Sequence, residues 1–275
     1  MLDLERIYDV YLDKLQKKRE EDSKEYKEWF GGSSAGSCYK KQLYKITDVE
    51  AKPFDTRTKR LLRLGTIVHK DILEEAIDYW KEEYKEIDPD EYDIYTEHEI
   101  KIPEFHVIGH LDNCIVEKHE DGTCYITVAD LKTLASYSWT KKFGREAKKK
   151  GINAHYTMGH YELQTATYAL GMLKQYNMVG DLNSRKATSD IMKISNVVKL
   201  NIVWYNKNDS RLKITEIPTH DALVAAVEYW QDLNDFIDET PDDEIYAIPP
   251  DGAVGVPMQS WECNYCQYSI TCKGS

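Results

Sequence analysis

Long hydrophobic runs are missing from this 275-residue chain. No apolar stretch approaches the roughly 18 to 20 residues that a helix needs to cross a bilayer. The opening Met1-Leu2-Asp3-Leu4-Glu5-Arg6 carries acids where a secretory leader would be basic and then apolar. The expectation is therefore a cytoplasmic protein, in the host cytoplasm if it is viral. Internal repeats and low-complexity tracts are absent, and so is a Walker lysine motif, which argues against a helicase motor in this chain.

A surplus of positive charge is lacking as well. The 36 basic and 48 acidic residues give a net charge of −12, which on average disfavours a polyanionic partner. The acids, however, are concentrated. Residues 74–99 hold twelve acids and two lysines, and residues 231–244 hold seven acids and no base. These stretches account for −17, which leaves +5 elsewhere. The densest basic segment, residues 141–150, carries six bases and one acid, so nucleic acid can still be held locally. Those lysines fit a solvated helix face equally well. Trp139 and Phe143 beside them suit either base stacking or packing, with packing the commoner use of such a spacing.

With 41% hydrophobic and 31% charged residues, the chain is expected to fold as one large globular domain or two small ones. Residues 1–30 read as a charged helix with a thin stripe of Leu4, Ile7, Tyr11 and Leu15. Gly31 to Ser37 breaks it, and a short helix follows through Cys38 and Leu43. A helix over about 57–85 recurs at three and four through Leu61, Leu64, Gly65, Val68, Ile72, Ala76 and Tyr79, with His69 beside what reads as a buried stripe. Strands are expected over 92–102, 107–116 and 124–132, the last two joined by the Glu120-Asp121-Gly122 turn. Helices at about 138–150 and 157–177, strands over 196–205 and 211–217, and an amphipathic helix over 221–237 complete the pattern. The order implies an α/β protein with a mixed central sheet flanked by helices.

Asp112 falls within one strand of the expected hairpin, and Asp130-Leu131-Lys132 at the end of the next, so the two acids can converge at one end of the sheet. Strand alternation turns Asp130 and Lys132 to one face, with the Leu131 carbonyl between them. Two carboxylates and a carbonyl suit magnesium or manganese, and a nitrogen from His69 tilts preference toward manganese. Such a centre serves phosphodiester hydrolysis, in which Lys132 orients the nucleophile or stabilises developing charge. Taken singly, each of these residues is more simply a turn acid or a packed histidine.

Their order is more specific. Gly65-x-x-x-His69, Gly109-x-x-Asp112, Asp130-x-Lys132 and Gln164-x-x-x-Tyr168 together resemble the motif series of the RecB-like branch of the PD-(D/E)XK nuclease superfamily. The resemblance implies a restriction-endonuclease-like sheet with metal on His69, Asp112 and Asp130. It also implies a catalytic Lys132, with Gln164 and Tyr168 supporting the site or the DNA.

Cys263-x-x-Cys266-x-x-x-x-x-Cys272 packs three thiols into ten residues, and Cys38 lies far upstream. In a cytosolic chain this spacing argues for metal rather than disulfides, and thiolates serve zinc and iron–sulfur centres alike. One cysteine before the nuclease motifs and three after them resembles the iron–sulfur subgroup of RecB-like nucleases, which includes the CRISPR adaptation nuclease. That resemblance implies a 4Fe-4S cluster on Cys38, Cys263, Cys266 and Cys272, single-stranded DNA ends as substrate, and a helicase or CRISPR adaptation partner. Tyr39 departs from the proline often found after the first cysteine, and residues 1–32 read as a helical extension ahead of a nuclease domain over 33–275. Cys114 and Cys124 read as small core residues. The rivals are a scaffolding subunit that keeps the fold, with zinc in place of the cluster, and a zinc-stabilised module whose acidic faces bind a basic protein.

Overall fold

The structure, a computed structural model, describes all residues except 1–2, 48, 84–87, 89, 146–158, 240–261 and 274–275. Lys148 to Lys150, parts of both acidic stretches and much of the tail from Pro249 onward thus lie outside the described residues. Among the described residues, no helix is long and apolar enough to cross a membrane.

The chain opens with α1 (Leu4–Asp22), a two-residue strand β1 (Phe30–Gly31), a tight turn over Gly32–Ser34, and α2 (Tyr39–Ile46). Helix α3 (Thr56–His69) starts where the Asp55 side chain accepts from the Thr58 amide at 2.7 Å, satisfying one of the amides a helix start leaves unpaired. It passes through a π-helical turn at Lys70–Glu75 into α4 (Ala76–Glu83). Strands β2 (Tyr92–Ile102), β3 (Val107–Lys118) and β4 (Cys124–Leu134) follow, then α5 (Ser136–Phe143), α6 (His160–Gln175) and α7 (Ala187–Ile194). Strands β5 (Val198–Asn206) and β6 (Leu212–Ile217) precede α8 (Thr219–Glu239) and two short helices, α9 (Glu262–Tyr265) and α10 (Ser269–Lys273).

The six strands form one mixed sheet in the order β1-β3-β4-β5-β6, with β2 along the other edge of β3. The hairpin turn closes where the Gly122 amide donates to the His119 carbonyl at 2.9 Å, with Gly122 at φ 83°. Strand β5 runs parallel to β4, and α6 and α7 lie in the crossover between them, as a parallel pair requires. Helix α6 is buried from Glu162 through Leu173 because it is packed on both sides, by the sheet and by α8. A Cβ on Gly171 would come within 2.7 Å of Ile100 of β2, so glycine is what lets α6 lie this close to the sheet. Trp230 of α8 donates to Thr167 of α6 at 2.9 Å, which satisfies its buried indole.

The expected strands are present, and the described residues of each expected helical segment include a helix. The stripe on α3 and α4 is where the structure differs. Leu61, Leu64 and Tyr79 are exposed, and among the described residues of this continuous helical stretch Leu73 is the buried one. Helix α3 meets both β4 and α1, and its ties to α1 include ion pairs of Arg60 with Glu5 and Asp9 and of Lys59 with Asp13. A helix held by ion pairs leaves its apolar residues uncovered. Trp139 is buried, stacked edge-on against Phe143 at 4.9 Å, and Phe143 meets Trp204 at 5.9 Å, so both are packing residues. Cys114 is fully buried and Cys124 packs against the same core.

Candidate active site

The site forms where β3 parts from β4. The ladder between them ends at Asn113↔Ala129, and the first residues of β3 pair with β1 instead, Phe30↔Val107 and Gly31↔Ile108. At the parting point the Asp112 carboxylate stands in for the lost backbone partner, its Oδ2 accepting from the Leu131 amide at 2.6 Å. Leu111, Asp112 and Cys114 are all buried, so both faces of β3 are covered at the parting point.

Strand β2 is irregular at the same point. Its register with β3 is continuous from Tyr92↔Glu117 to Ile102↔Val107 except at Glu97, the residue facing Asp112. Glu97 adopts φ 46°, a left-handed conformation uncommon for a residue with a Cβ. The Asn113 side chain donates to the Tyr95 carbonyl at 3.1 Å across this break. The consequence is chemical. Ligand atoms of His69, Glu97 and Asp112 lie within 4.8 Å of one another, and His69 Nδ1 is 3.5 Å from Asp112 Oδ1. Glu97 was not singled out from the sequence. It carries no turn signature, and strand alternation alone gives no reason to turn it toward Asp112.

Behind this cluster lies a second, drier set. Asp130 is completely buried, with its Oδ2 2.7 Å from the Lys132 ammonium. That contact is an ion pair without an aligned hydrogen bond, so Oδ2 lacks a hydrogen-bond partner. Gln164 of α6 ties the set together: it accepts from Lys132 at 3.0 Å and donates to Asp130 Oδ1 at 3.1 Å and to the Tyr168 hydroxyl at 3.1 Å. Gln164 and Tyr168, one helical turn apart, share a face of α6. All the side chains expected from the sequence, namely His69, Asp112, Asp130, Lys132, Gln164 and Tyr168, thus belong to two linked sets. Asp112 forms the junction between them, and Leu131 enters through its amide.

Burial and charge set the protonation states. Burial raises the pKa of Asp130, an effect that Lys132 opposes and Asp112 reinforces. Burial alone would lower that of Lys132, but the attraction of Asp130 and Asp112 outweighs it and the ammonium is held above its ordinary value. Lys132 is therefore a cation at neutral pH and not a base. Burial likewise pulls His69 down, and its hydrogen bond and charge interaction with Asp112 carry it above 6.5. Glu97 is raised by burial and by Asp112. Burial holds the Tyr168 hydroxyl strongly in its neutral form.

One imidazole nitrogen, two clustered carboxylates and a buried carboxylate oxygen without a hydrogen bond make a donor set that fits manganese or magnesium. The family model of the PD-(D/E)XK nuclease superfamily matches residues 4–273, and the chain belongs to that superfamily. Membership implies a metal-dependent nuclease, using divalent ions such as magnesium or manganese, with DNA as substrate. No curated protein matches significantly. Among solved structures, the crystal structure of SSO0001 is 15% identical, covering 89% of this chain and 85% of that one at a TM-score of 0.39, a likeness too distant to argue from.

The raised pKa values of His69 and Glu97 give metal binding a direction with pH. Each group holds its proton to a higher pH than it does free, so an incoming cation must displace protons. Calorimetric titration of manganese into the protein should show affinity rising from about pH 5.5 to 8, with proton release greatest at the acid end. Affinity unchanged across that interval would show that His69 is not a ligand.

Proposed function

We propose that this chain is a DNA nuclease that hydrolyses phosphodiester bonds at single-stranded ends, an exonuclease first and an endonuclease second. The observation that carries the reading is the convergence of His69, Glu97 and Asp112 beside the buried Asp130–Lys132–Gln164 set. His69, Glu97 and Asp112, joined by Asp130 Oδ2 and the Leu131 carbonyl, would hold the divalent ion. That ion supplies an activated water and neutralises charge on the scissile phosphate. Lys132, kept cationic by Asp130 and Asp112, orients the nucleophile and stabilises negative charge as it develops. Gln164 fixes the ammonium in place, and Tyr168 fixes Gln164. The water-poor setting strengthens each of these interactions.

The proposal extends to a 4Fe-4S cluster on Cys38, Cys263, Cys266 and Cys272, joining the two ends of the nuclease domain over residues 33–275. Two features support it. Charge on Cys266 and Cys272 is felt at Cys38, and Cys266 and Cys272 pack on the small core of Leu43, Tyr44 and Tyr268 that backs α2. A cluster on the four thiolates would tie α2 to the chain's end, more than two hundred residues away. A cytoplasmic role in DNA repair, CRISPR adaptation or viral DNA processing, beside a helicase or adaptation partner, fits these parts.

Two measurements test this. Anaerobically prepared protein incubated with end-labelled single strands and manganese should release nucleotides progressively from an end. Asp130→Ala and Lys132→Ala should each lower the rate by about 100-fold or more while DNA is still bound. Undiminished cleavage by both variants would contradict the site. The same preparation should be brown, and Cys38→Ser and Cys272→Ser should each bleach it and lower thermal stability, since cluster binding is coupled to folding. Cys114→Ser should retain the colour. Colourless protein with stoichiometric zinc would replace the cluster with zinc and leave the nuclease reading standing.

A further inference from the structure

One aromatic ring touches the candidate site without a part in the chemistry described above. Lys132 of β4 and Trp204 of β5 are partners in the parallel ladder, so their side chains stand beside each other on one face of the sheet. Tyr161 of α6 reaches both. Its ring centroid is 5.1 Å from the Lys132 ammonium, and the ring meets that of Trp204 edge-on at 5.8 Å. Tyr161 precedes Gln164 by three residues, so the two project from the same side of α6, and Gln164 holds both Lys132 and Asp130.

The footing of this ring is fixed. Trp204 is buried, its indole donates to Thr215 at 2.8 Å, and Phe143 and the Lys142 ammonium pack on it at 5.9 and 4.4 Å. The Tyr161 carbonyl accepts from Thr165 Oγ1 at 2.7 Å. From Glu162 to Leu173 the residues of α6 are buried, whereas Tyr161 is 43% exposed. A hydroxyl is a small part of a tyrosine's surface, so exposure on this scale leaves much of the ring open to solvent.

Position separates Tyr161 from other exposed tyrosines. Tyr125, similarly exposed at 45%, stands seven residues from Lys132 near the other end of β4, roughly 23 Å along the strand. The scissile phosphate has to approach Lys132 if that ammonium is to stabilise its charge. The base of an adjoining nucleotide then comes within reach of a ring that touches the same ammonium. An unpaired base offers its π face to such a ring, whereas a base inside a duplex is already stacked between its neighbours.

From this geometry we infer that Tyr161 is a stacking platform for an unpaired base beside the scissile phosphate, and that it sets a preference for single strands. The inference rests on the nuclease reading. Lys132 and Trp204 hold the ring in place before the strand arrives, which lowers the cost of ordering it on binding. Stacking accepts any base, as an exonuclease requires. Trp139 and Phe143, whose spacing suited the same task, instead support the platform through Trp204.

The test is anisotropy of a labelled single-stranded oligonucleotide, without added divalent metal, beside a strand of equal length built of abasic nucleotides throughout. Tyr161→Ala should weaken binding of the intact strand about 10-fold and leave affinity for the base-free strand unchanged. The preference for the intact single strand over a blunt duplex should shrink by the same factor. Tyr161→Phe, which keeps the ring, should bind like wild type, and so should Tyr125→Ala. In cleavage assays with manganese the Tyr161→Ala loss should appear in KM. Equal weakening on intact and base-free strands, or a loss confined to kcat, would mean that the ring serves only Lys132 and would overturn the stacking role alone. Wild-type affinity of Tyr161→Ala for the intact strand would overturn it as well. A wild-type protein that neither binds nor cuts the oligonucleotide would overturn the stacking role and the nuclease reading together.

Discussion

The interaction on which the site depends is the hydrogen bond from the Leu131 amide to the Asp112 carboxylate, 2.6 Å long. Strand β3 cannot pair with β1 and β4 along the same stretch of one edge, so it must leave one to meet the other. The parting exposes a backbone amide that would be costly to bury unpaired. Asp112 satisfies it with one oxygen and directs the other toward His69. A structural need at the split in the sheet and a chemical need for a carboxylate beside a histidine are thus met by one side chain. The left-handed Glu97 opposite belongs to the same accommodation, and backbone strain at such a position is characteristic of sites whose geometry is imposed by function.

The buried Asp130–Lys132 pair has the opposite economy. Taking both charges out of water costs more than an apolar pair of the same size, and the pair leaves Asp130 Oδ2 without a hydrogen bond. Nothing in the packing of β4 against α6 requires charges there. They make sense as a cation and an acid placed in advance and held by Gln164, so that little reorganisation is needed when phosphate charge develops.

Much of this was legible from residue order. Alternation located β2, β3 and β4, the Gly122 turn fixed the hairpin, and together they imply that Asp112 and Asp130 approach each other. What periodicity could not supply was the identity of a face's neighbour. The recurring apolar residues on α3 mark a face, but Leu61 and Leu64 are exposed, because the acids of α1 bind the basic residues of α3 instead of covering its leucines. Glu97 escaped for a different reason. Its place in the cluster follows from one left-handed backbone angle in β2, set by the splitting of a neighbouring strand, and no local sequence pattern encodes that.

The central claim is that one carboxylate, Asp112, both closes the split between β3 and β4 and holds the metal. Asp112→Asn separates the two roles, because the amide oxygen can still accept from Leu131 while the charge is gone. Manganese binding followed by electron paramagnetic resonance, alongside chemical unfolding, reads both at once. The account predicts that the variant folds with a stability loss of about 1 kcal/mol, the typical worth of one altered hydrogen bond, and leaves stoichiometric manganese in the free, six-line form that wild type removes. Wild-type manganese affinity in Asp112→Asn would contradict it.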